Sequence, residues 1–474
     1  MSNRPNVVFI LADDLGYGDL GLFGNPTVRT PYLDTLGREG IVLTEHYSAS
    51  PLCAPARAAL LTGRYNHRTG AVDVPSNRGL DRIALDEQTI ADVYSNAGYA
   101  TGMVGKWHNG LHDHRYHPNA RGFDEFVGFL NGGMDYYRWV IDRNGAPEVS
   151  DGRYLTDVFT DEAVQFVRRH RTEPFYLYVS YNAPHLPYQA PAPLIASYAG
   201  ADGLTDDVRT IYAMIESMDA GVGRLLDEIR RCGLERNTIV VFTSDNGPWL
   251  VGDSNRFNGP LRGKKGDVLD GGIRVPALVR WPDGLASGVT RSEMMHFCDW
   301  LPTLTSMTGV RPQDGKPLDG RNMSGVLLGG SGVAPSTLFW QRNRYEPVAR
   351  CNGAMRDGPW KLVWPMLDGA DWKDRSDNDC YLEGMTSAHR MMEVQRDLPE
   401  RPVAATPGRP ELYDIDSDPH EDRDLSAEYP GRVESMVREW DAWFEEVMAE
   451  WWPAYRANTC ESDAPTEQGR TKRK

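Results

Sequence analysis

Cys53 begins the most distinctive segment of the chain, Cys53-Ala-Pro55-Ala-Arg57, which AALLTGR follows. Pro55 stands where a helix would begin and the next residues are good helix formers, so we expect Cys53 just before a helix N-terminus. Such a terminus favours an anion through its free N–H groups and its dipole. A buried structural cysteine is the common alternative, but it explains neither Pro55 nor Arg57. The segment therefore predicts an anion-binding site beside Cys53.

Acidic, basic and amide side chains follow four predicted strands at the point where each strand ends. Ligands of an open parallel sheet bind outside the carboxyl ends of its strands. Any one strand end could be ordinary turn chemistry, since Asp, Asn and Gly are common in loops, but four together indicate one shared site. The strands and the residues after them are Val7–Leu11 with Asp13 and Asp14, Thr101–Val104 with Lys106 and His108, Phe175–Ser180 with His185, and Ile239–Thr243 with Asp245 and Asn246.

Asp13, Asp14, Asp245 and Asn246 provide hard oxygen donors. Three carboxylates and one amide suit Ca²⁺ or Mg²⁺ better than a softer metal. A pair of Asx turns is one alternative. Zinc is another, since four histidines follow one another at ligand-like spacing, although no thiol lies near them. These histidines are His108, His112, His114 and His117.

Short apolar runs rich in β-branched and aromatic residues alternate with longer amphipathic segments. In the longest of these, Ile211, Ile215, Met218 and Val222 recur at helical spacing. The alternation predicts an α/β fold, a mostly parallel sheet with helices on both faces. The predicted helices are Tyr32–Glu39, Ala56–Thr62, Ile90–Ala97, Asp157–Arg171 and Val208–Arg231.

The pattern changes after about residue 335. Strand-like pieces at Trp360–Trp364 and Glu411–Ile415 separate irregular stretches rich in proline and charge, and a Trp-rich helix is predicted at Arg432–Trp452. We expect the polar tail, TEQGRTKRK, to be mobile. The sequence therefore predicts a catalytic domain over residues 1–335 and a smaller α+β domain over residues 336–474.

The bulk composition of the 474-residue chain narrows the possible partners. A formal net charge of −16 argues against nucleic acid, which needs a basic surface. No apolar run reaches membrane-spanning length, and MSNRPNVVFILADD holds too short an apolar run for a signal peptide. We therefore expect a cytoplasmic protein, or a periplasmic or secreted one if a leader has been removed. Nothing in the sequence indicates an oligomeric state.

The segment that starts at Cys53 resembles the signature of type I sulfatases, the formylglycine-dependent arylsulfatase family of the alkaline phosphatase superfamily. In that family the cysteine is converted to Cα-formylglycine. Other segments resemble family motifs in the same order along nearly the whole chain. They are NVVFILADDLGYGDLG and TSDNG for the metal, GKWH and NAPHLP for two histidines, KKGDVLDGGIRVP for a sulfate-binding lysine, and ELYDIDSDPHEDRDL for a C-terminal signature, with Asp424 where Asn is more usual.

The resemblance implies an alkaline-phosphatase-like fold and one bound Ca²⁺. Matched motif by motif, the metal ligands are Asp13, Asp14, Asp245 and Asn246, with residue 53 close by. The resemblance also implies one protein partner, the formylglycine-generating enzyme that would modify Cys53 during maturation.

The family motifs imply a role for each remaining side chain. A hydroxyl of the hydrated formylglycine attacks the sulfur of a sulfate ester, and His108 then deprotonates the second hydroxyl so that sulfate leaves. His185 acts with Lys265 beside the leaving oxygen as the general acid. Fixed positive charge around the sulfate comes from Ca²⁺, Arg57, Lys106 and Lys265.

Two adjacent lysines compete for the sulfate-binding role. Lys265 is preferred because the family lysine directly precedes the segment that leads to an acidic-Gly-Gly triplet, here Asp270-Gly271-Gly272. Lys264 stays open as the alternative. Either lysine could also be an ordinary solvated side chain with no role at the site.

A sulfated saccharide or small molecule is the expected substrate, and small aryl sulfates are expected to react as well. The segment RYHPNARGFDEF resembles the corresponding stretch of arylsulfatases and galactosamine-sulfate sulfatases. Aromatic loop residues could stack on a sugar ring and polar ones could hydrogen-bond to it. The residues concerned are Asn109, His112, His114, His117, Asp135, Tyr136, Tyr137, Arg138, Trp139 and Trp249.

Three other functions compete with sulfate ester hydrolysis. A phosphodiesterase or phosphonate monoester hydrolase of the same superfamily would share much of the site. The two-zinc phosphatases of that superfamily, however, typically have Asp-His where this chain has Asp245-Asn246, which removes a zinc ligand and favours the sulfatase form with one Ca²⁺. A non-catalytic binder of sulfated glycans would not need a complete set of acids, bases and cations. A thiol hydrolase using unmodified Cys53 lacks a recognisable Cys-His-Asn pattern.

Overall fold

A ten-stranded mixed sheet lies at the centre of the molecule. The structure is a computed structural model and describes residues 4–111, 113–249, 256–312, 315–330, 336–387, 394, 397–400 and 407–459. Its strands are β1 (Asn6–Ala12), β2 (Ile41–Leu43), β3 (His46–Tyr47), β4 (Ala100–Lys106), β5 (Glu125–Phe129), β6 (Val140–Arg143), β7 (Ala146–Val149), β8 (Phe175–Ser180), β9 (Thr238–Ser244), β10 (Ala277–Arg280), β11 (Val289–Arg291), β12 (Met295–His296), β13 (Thr337–Gln341), β14 (Gly353–Asp357), β15 (Trp360–Trp364) and β16 (Glu411–Asp414).

Twelve α-helices pack around the strands in the part of the chain that the structure describes. They are α1 (Pro31–Arg38), α2 (Cys53–Thr62), α3 (Asn66–Thr69), α4 (Ile90–Asn96), α5 (Leu155–Arg169), α6 (Ala192–Ser197), α7 (Asp206–Arg231), α8 (Asp270–Ile273), α9 (Trp300–Thr308), α10 (Ser324–Leu327), α11 (Arg375–Ser387) and α12 (Pro430–Asn458).

The strand order of the central sheet is β11-β2-β10-β9-β1-β8-β4-β5-β6-β7. The five strands β9, β1, β8, β4 and β5 run parallel to one another, while β10 and β6 pair antiparallel at the two sides of this block. The register places Val8 of β1 beside Leu177 of β8 and Val240 of β9. Parallel neighbours carry their carboxyl ends to the same edge of the sheet, so the residues that follow these strands meet there.

The central strands are apolar on both faces because helices cover both sides. Val8 and Ile10 point to the face packed by α1, α5 and α7, whereas Val7 and Phe9 point to the face packed by α2, α4 and α9. This alternation follows from the two-residue period of a strand. The predicted α/β architecture is confirmed, and the four predicted strands are β1, β4, β8 and β9, which are contiguous in the sheet.

The C-terminal region forms a four-stranded antiparallel sheet, β13-β14-β15-β16. Its apolar face packs on α12 through Trp440, Trp443 and Val447. The predicted small α+β unit is confirmed, and its division from the larger unit at residue 335 stays a prediction. The tail predicted to be mobile lies outside the described residues.

The predicted start of the helix after the cysteine is wrong. The helix after the cysteine was expected to begin near Pro55, with Cys53 before it, but α2 begins at Cys53 itself and Leu52 is its extended N-terminal cap. Pro55 fits the first turn because the N–H that proline lacks would have no partner within the helix there. Among the described helices, none combines the length and apolar character that crossing a membrane would require.

Candidate active site

The carboxyl ends of β1 and β9 place the four predicted metal ligands. β1 ends at Ala12 and Asp13 follows, held by a hydrogen bond of its N–H to the carbonyl of Ala183. β9 ends at Ser244, and the N–H of Asp245 donates to the carbonyl of Ala12. The two strand ends are therefore tied together directly below the site.

Asp14 adopts a backbone conformation that side-chain-bearing residues rarely use, with φ of 64°. Its N–H donates to Oδ1 of Asp245 over 3.1 Å. The strained turn aims the Asp14 carboxylate back towards the site, and such strain is commonly held in place where function needs it.

Three of the predicted metal ligands have a buried side-chain oxygen without a hydrogen-bond partner among the described residues: Oδ1 of Asp13, Oδ2 of Asp14 and Oδ1 of Asn246. Leaving a buried acceptor unsatisfied is costly, and these are oxygens of the kind that Ca²⁺ binds. The fourth predicted ligand, Asp245, has Oδ1 bound by Asp14 and Oδ2 bound by Arg57 at 2.7 Å. The donor set therefore fits a hard cation.

A cysteine and a histidine complete this cluster. Ligand atoms of Asp13, Asp14, Cys53 and His185 all lie within 4.8 Å of one another. The first residue of α2 is Cys53, so the helix N-terminus faces the same point. Burial raises the pKa of the Cys53 thiol, against the opposing effect of nearby lysines. An unmodified Cys53 is therefore mostly a neutral thiol and a weak nucleophile.

Each of the three carboxylates forms an ion pair with a buried basic side chain. Lys106 Nζ lies 2.7 Å from Oδ2 of Asp13, and Lys265 Nζ lies 2.6 Å from Oδ1 of Asp14. Arg57 binds Asp245 and also donates to the carbonyl of Lys106. Removing either member of such a buried pair would leave an uncompensated charge.

The two adjacent lysines differ in burial. Lys265 is buried at the site, where burial acts to lower its pKa, but Asp14, Cys53 and Asp13 outweigh burial and hold that pKa well above its usual range. Lys264 is exposed. The geometry thus favours Lys265 as the cation next to the anion site.

His108 is held as a neutral ring. Its Nε2 faces the carbonyl of Val74 at 3.3 Å, which assigns the proton to Nε2, and Nδ1 is buried without a partner among the described residues. Burial, together with Lys106 and Arg57, holds the pKa of His108 well below its usual value. The ring can therefore accept a proton at Nδ1.

His185 presents its other nitrogen to the site. Nδ1 lies 2.7 Å from the carbonyl of Leu186, and Nε2 lies 3.9 Å from Oδ2 of Asp14. Burial and Lys265 hold the pKa of His185 well below its usual value, so the ring is neutral. A bound anion would raise this pKa, since an opposite charge favours the protonated ring.

Tyr381 is a site residue that the sequence did not reveal. It lies on α11, and its hydroxyl is 3.5 Å from Nε2 of His185. The ring enters the site across two glycines, where a Cβ on Gly133 would stand 2.8 Å from the Tyr381 hydroxyl. The only signal in the sequence was the Gly132-Gly133 pair, which allows a close approach.

These groups line one cavity of about 440 Å³. Cys53, Asp14, His108, His185 and Lys265 lie on its wall. A volume of this order accommodates a drug-sized ligand or a sugar residue. The cavity wall therefore carries a cysteine, two neutral histidines, a buried lysine and, on Asp14, an oxygen without a hydrogen-bond partner among the described residues.

A family model for sulfatases matches residues 5–310. This chain belongs to the sulfatase family. It is a sulfuric ester hydrolase of the alkaline phosphatase superfamily, and the formylglycine mechanism is typical of its family.

Relatives support the assignment over most of the sulfatase. Human arylsulfatase A (Homo sapiens) is 33% identical over 472 residues, covering 92% of this chain and 86% of the relative. N-acetylgalactosamine-6-sulfatase of Homo sapiens is 34% identical over 368 residues, covering 71% and 68% of the two chains. The crystal structure of Ps i-CgsB in complex with k-i-k-neocarrahexaose has a TM-score of 0.79 and 29% identity, covering 97% of the sulfatase and 98% of that chain.

Two predicted sugar contacts of the sulfatase are wrong. Tyr136 is 0% exposed and Trp139 is 1% exposed, so neither can stack on a sugar. The Tyr136 hydroxyl instead donates to the carbonyls of Asn182 and His185, which fixes the loop that carries His185. Asn109 is buried as well and donates to the carbonyl of Ala54.

The remaining predicted substrate contacts differ in whether they line the cavity. Trp249 is 38% exposed and lies on the cavity wall. Asp135 accepts backbone hydrogen bonds from Tyr137 and Arg138, and the Arg138 side chain is exposed. None of the three is among the residues that line the cavity.

The zinc alternative gains no support from the described histidines. His117 lies 3.3 Å from Asp142 and His114 is exposed, and neither joins His108 in a group of metal-ligating side chains. His112 lies outside the described residues.

Proposed function

We propose that this sulfatase hydrolyses a sulfate ester of a sulfated saccharide, using Ca²⁺ and a formylglycine made from Cys53 by the formylglycine-generating enzyme. The observation that carries the proposal is the buried cluster of Cys53 with Asp13 and Asp14, whose carboxylates each have one oxygen without a hydrogen-bond partner among the described residues. Asn246, whose amide donates to Asp14, has another such oxygen. Small aryl sulfates, which need only the anion site, are proposed to react as well.

Asp13, Asp14 and Asn246 would hold the calcium ion with their free oxygens, and Asp245 would complete the set through Oδ1. When bound, the ion supplies positive charge beside the oxygens of the sulfate group. Lys106 and Arg57 fix the carboxylates of Asp13 and Asp245 in place, so the site is preorganised before the metal arrives.

Position 53 would provide the nucleophile. When formed, the hydrated aldehyde supplies a hydroxyl that is activated by its location at the cation site. The start of α2 directs free backbone N–H groups and the positive end of its dipole to the same place. This arrangement favours an anion in a protein whose overall charge of −16 would repel one.

The two histidines would divide the proton transfers. Nδ1 of His108 is the free base, since Nε2 carries the proton that faces Val74. Nε2 of His185 would gain a proton when the anionic substrate raises its pKa, and would give it to the leaving oxygen. Lys265, whose Nζ contacts Oδ1 of Asp14, would support the negative charge that develops on the leaving oxygen.

A saccharide is favoured over a small aryl compound as the main substrate. The human relative named N-acetylgalactosamine-6-sulfatase and the solved structure in complex with k-i-k-neocarrahexaose both concern sugars. In this chain, Trp249 and Tyr381 offer aromatic surface on the cavity wall, and aromatic surface suits the face of a sugar ring.

The phosphonate monoester hydrolase alternative shares the fold. A phosphonate monoester hydrolase of Agrobacterium radiobacter aligns at a TM-score of 0.64 with 20% identity, covering 94% of this chain and 96% of that one. No observation on the described residues favours phosphonate over sulfate, so we retain sulfate ester hydrolysis as the proposed reaction.

Release of inorganic sulfate tests the proposal. Protein produced together with a formylglycine-generating enzyme is incubated with 4-nitrophenyl sulfate and with sulfated oligosaccharides, and sulfate is measured by ion chromatography. We expect sulfate release that needs Ca²⁺ and is absent in Cys53→Ala, whose smaller side chain fits the same buried position. Faster turnover of phosphonate or phosphate diesters than of any sulfate ester would overturn it.

A further inference from the structure

Three basic side chains that the proposed reaction does not use also line the active-site cavity: Arg342, Arg344 and Lys373. All three lie beyond residue 310, where the match to the sulfatase family model ends. Arg342 and Arg344 follow β13 of the C-terminal sheet, and Lys373 precedes α11. None of the family motifs matched in the sequence contains these residues.

Lys373 has no carboxylate within ion-pair distance among the described residues. Its ammonium lies 5.1 Å from the centre of the Tyr381 ring, a weak cation–π contact. Burial and the neighbouring guanidinium of Arg344 lower the pKa of Lys373. The positive charge is thus only partly compensated at a half-buried position.

The acidic groups that act on Lys373 are already engaged by arginines. Such paired carboxylates give little further stabilisation to a third charge. The pairs are Asp73 with Arg344 at 2.9 Å, Asp377 with Arg78 at 2.8 Å and Asp371 with Arg342 at 2.6 Å.

The positive charge of Arg342 is also only partly compensated by its neighbours. Burial lowers its pKa, and Arg344 adds to the effect by repulsion. Among the described residues, its carboxylate neighbour in ion-pair contact is Asp371, whose side chain is 56% exposed, so the pair is partly screened by water. An additional anion between these cations would relieve their mutual repulsion.

Tyr381 connects this basic cluster with the reaction centre. Its ring lies against Lys373 and its hydroxyl lies 3.5 Å from Nε2 of His185. Cys53, Tyr381 and Lys373 line the same cavity. A saccharide with its reacting sulfate at Cys53 would therefore share this cavity with Lys373.

We infer that Lys373, with Arg342 and Arg344, binds a second anionic group of the substrate, a sulfate or a carboxylate on the same saccharide. The inference rests on the proposed function and makes it more specific, because it selects polyanionic saccharides over singly sulfated ones. Both groups present anionic oxygens to a cationic cluster, and charge-assisted hydrogen bonds to such groups are stronger than neutral ones.

Competition against 4-nitrophenyl sulfate tests the inference without knowledge of the natural substrate. In one arm, the inhibitors are disaccharide monosulfates, each compared with disulfates of the same disaccharide that carry the second sulfate at different positions. In the other arm, sulfated uronate disaccharides are compared with their methyl esters. In the wild type, we expect at least one second anion to tighten inhibition by about tenfold or more. The arm that shows the gain identifies the second group as sulfate or carboxylate.

Lys373→Gln is expected to reduce that gain to about twofold or less. Lys264→Gln is the matched control, since it removes an exposed lysine charge from the same cavity wall, and it is expected to keep the gain. Remaining turnover of 4-nitrophenyl sulfate in each variant reports that the reaction centre has formed.

Two results would overturn the inference: no inhibitor pair shows a gain in the wild type, or Lys373→Gln keeps the gain in full. Failure of the proposed function gives a different result, because the wild type would then not hydrolyse 4-nitrophenyl sulfate at all.

Discussion

The side-chain amide of Asn246 donates a hydrogen bond of 2.8 Å to Oδ1 of Asp14. Lys265 Nζ contacts the same oxygen at 2.6 Å. Oδ2 of Asp14 and Oδ1 of Asn246 are thereby left buried with no hydrogen-bond partner in the described part of the chain. The asparagine fixes the aspartate and at the same time presents its own oxygen, which is the arrangement expected of a pair of calcium ligands.

Asn246→Leu removes that oxygen with little change in side-chain volume. We expect the affinity for Ca²⁺ to fall by about tenfold or more, since one charge-assisted contact to the ion is lost. Isothermal titration calorimetry on protein stripped with a chelator measures the affinity, and the rise in Tm on adding Ca²⁺ should shrink in parallel.

Glu383→Gln is the control for that experiment, because Glu383 is an exposed acid on α11 outside the cluster. It should bind Ca²⁺ as the wild type does. Unchanged affinity in Asn246→Leu would place the ion elsewhere.

Tyr381→Phe tests whether the C-terminal region takes part in positioning His185. Loss of the hydroxyl removes the 3.5 Å contact with Nε2 of His185, so we expect kcat to fall by about tenfold while KM changes little. The dependence of kcat on pH should also shift, because Nε2 is the atom that would carry the proton.

Tyr32→Phe, which alters an exposed tyrosine on α1, is the matched control and should leave both constants unchanged. If Tyr381→Phe shows the kcat, KM and pH profile of the wild type, Tyr381 has no positioning role.

His46 provides a pH test that is separate from the catalytic site. The Trp300 indole donates to Nε2 of His46 over 2.9 Å, and burial lowers the pKa of His46 to about 3. Unfolding exposes the ring and returns its pKa to about 6.5. The unfolded state therefore binds the extra proton between these values, and the free energy of unfolding falls as pH decreases from about 6.5 towards 3.

Urea unfolding of the wild type and of His46→Gln at about pH 7 and about pH 5 measures this effect. The contribution of His46 to the loss of stability on acidification is about 2 kcal/mol at pH 5. We expect the variant to be less stable at pH 7 and to lose less on acidification. Equal losses in the two proteins would mean that His46 is not held neutral by burial.

The main sheet could be predicted because its central strands are apolar on both faces. β1, β4, β8 and β9 read as continuous apolar runs that end in polar residues, and the structure places them side by side. The edge strands were missed because they are short: β2 and β11 have three residues each, and β6 and β7 carry charged side chains. Pairing with a preformed sheet, and not local propensity, determines such strands.

The acids and cations of the candidate site could be predicted from their places after strands and in recognisable motifs. Tyr381 and Lys373 could not, because they come from an irregular C-terminal segment and reach the cavity only through packing of the two regions. The prediction that Tyr136 and Trp139 contact a sugar was wrong for the opposite reason. They occupy a loop near the site in sequence, but their rings fill the core and leave only Trp249 among the predicted aromatic contacts on the cavity wall.

The central claim is that residue 53 becomes a formylglycine, and the mass of one peptide tests it most directly. Trypsin releases residues 39–57, which contain Cys53 and end at Arg57, from protein purified out of the cells that naturally make it. We predict the mass of the aldehyde at position 53, together with reaction of that peptide with a hydrazide probe. A peptide that carries only unmodified cysteine in every copy would contradict the account.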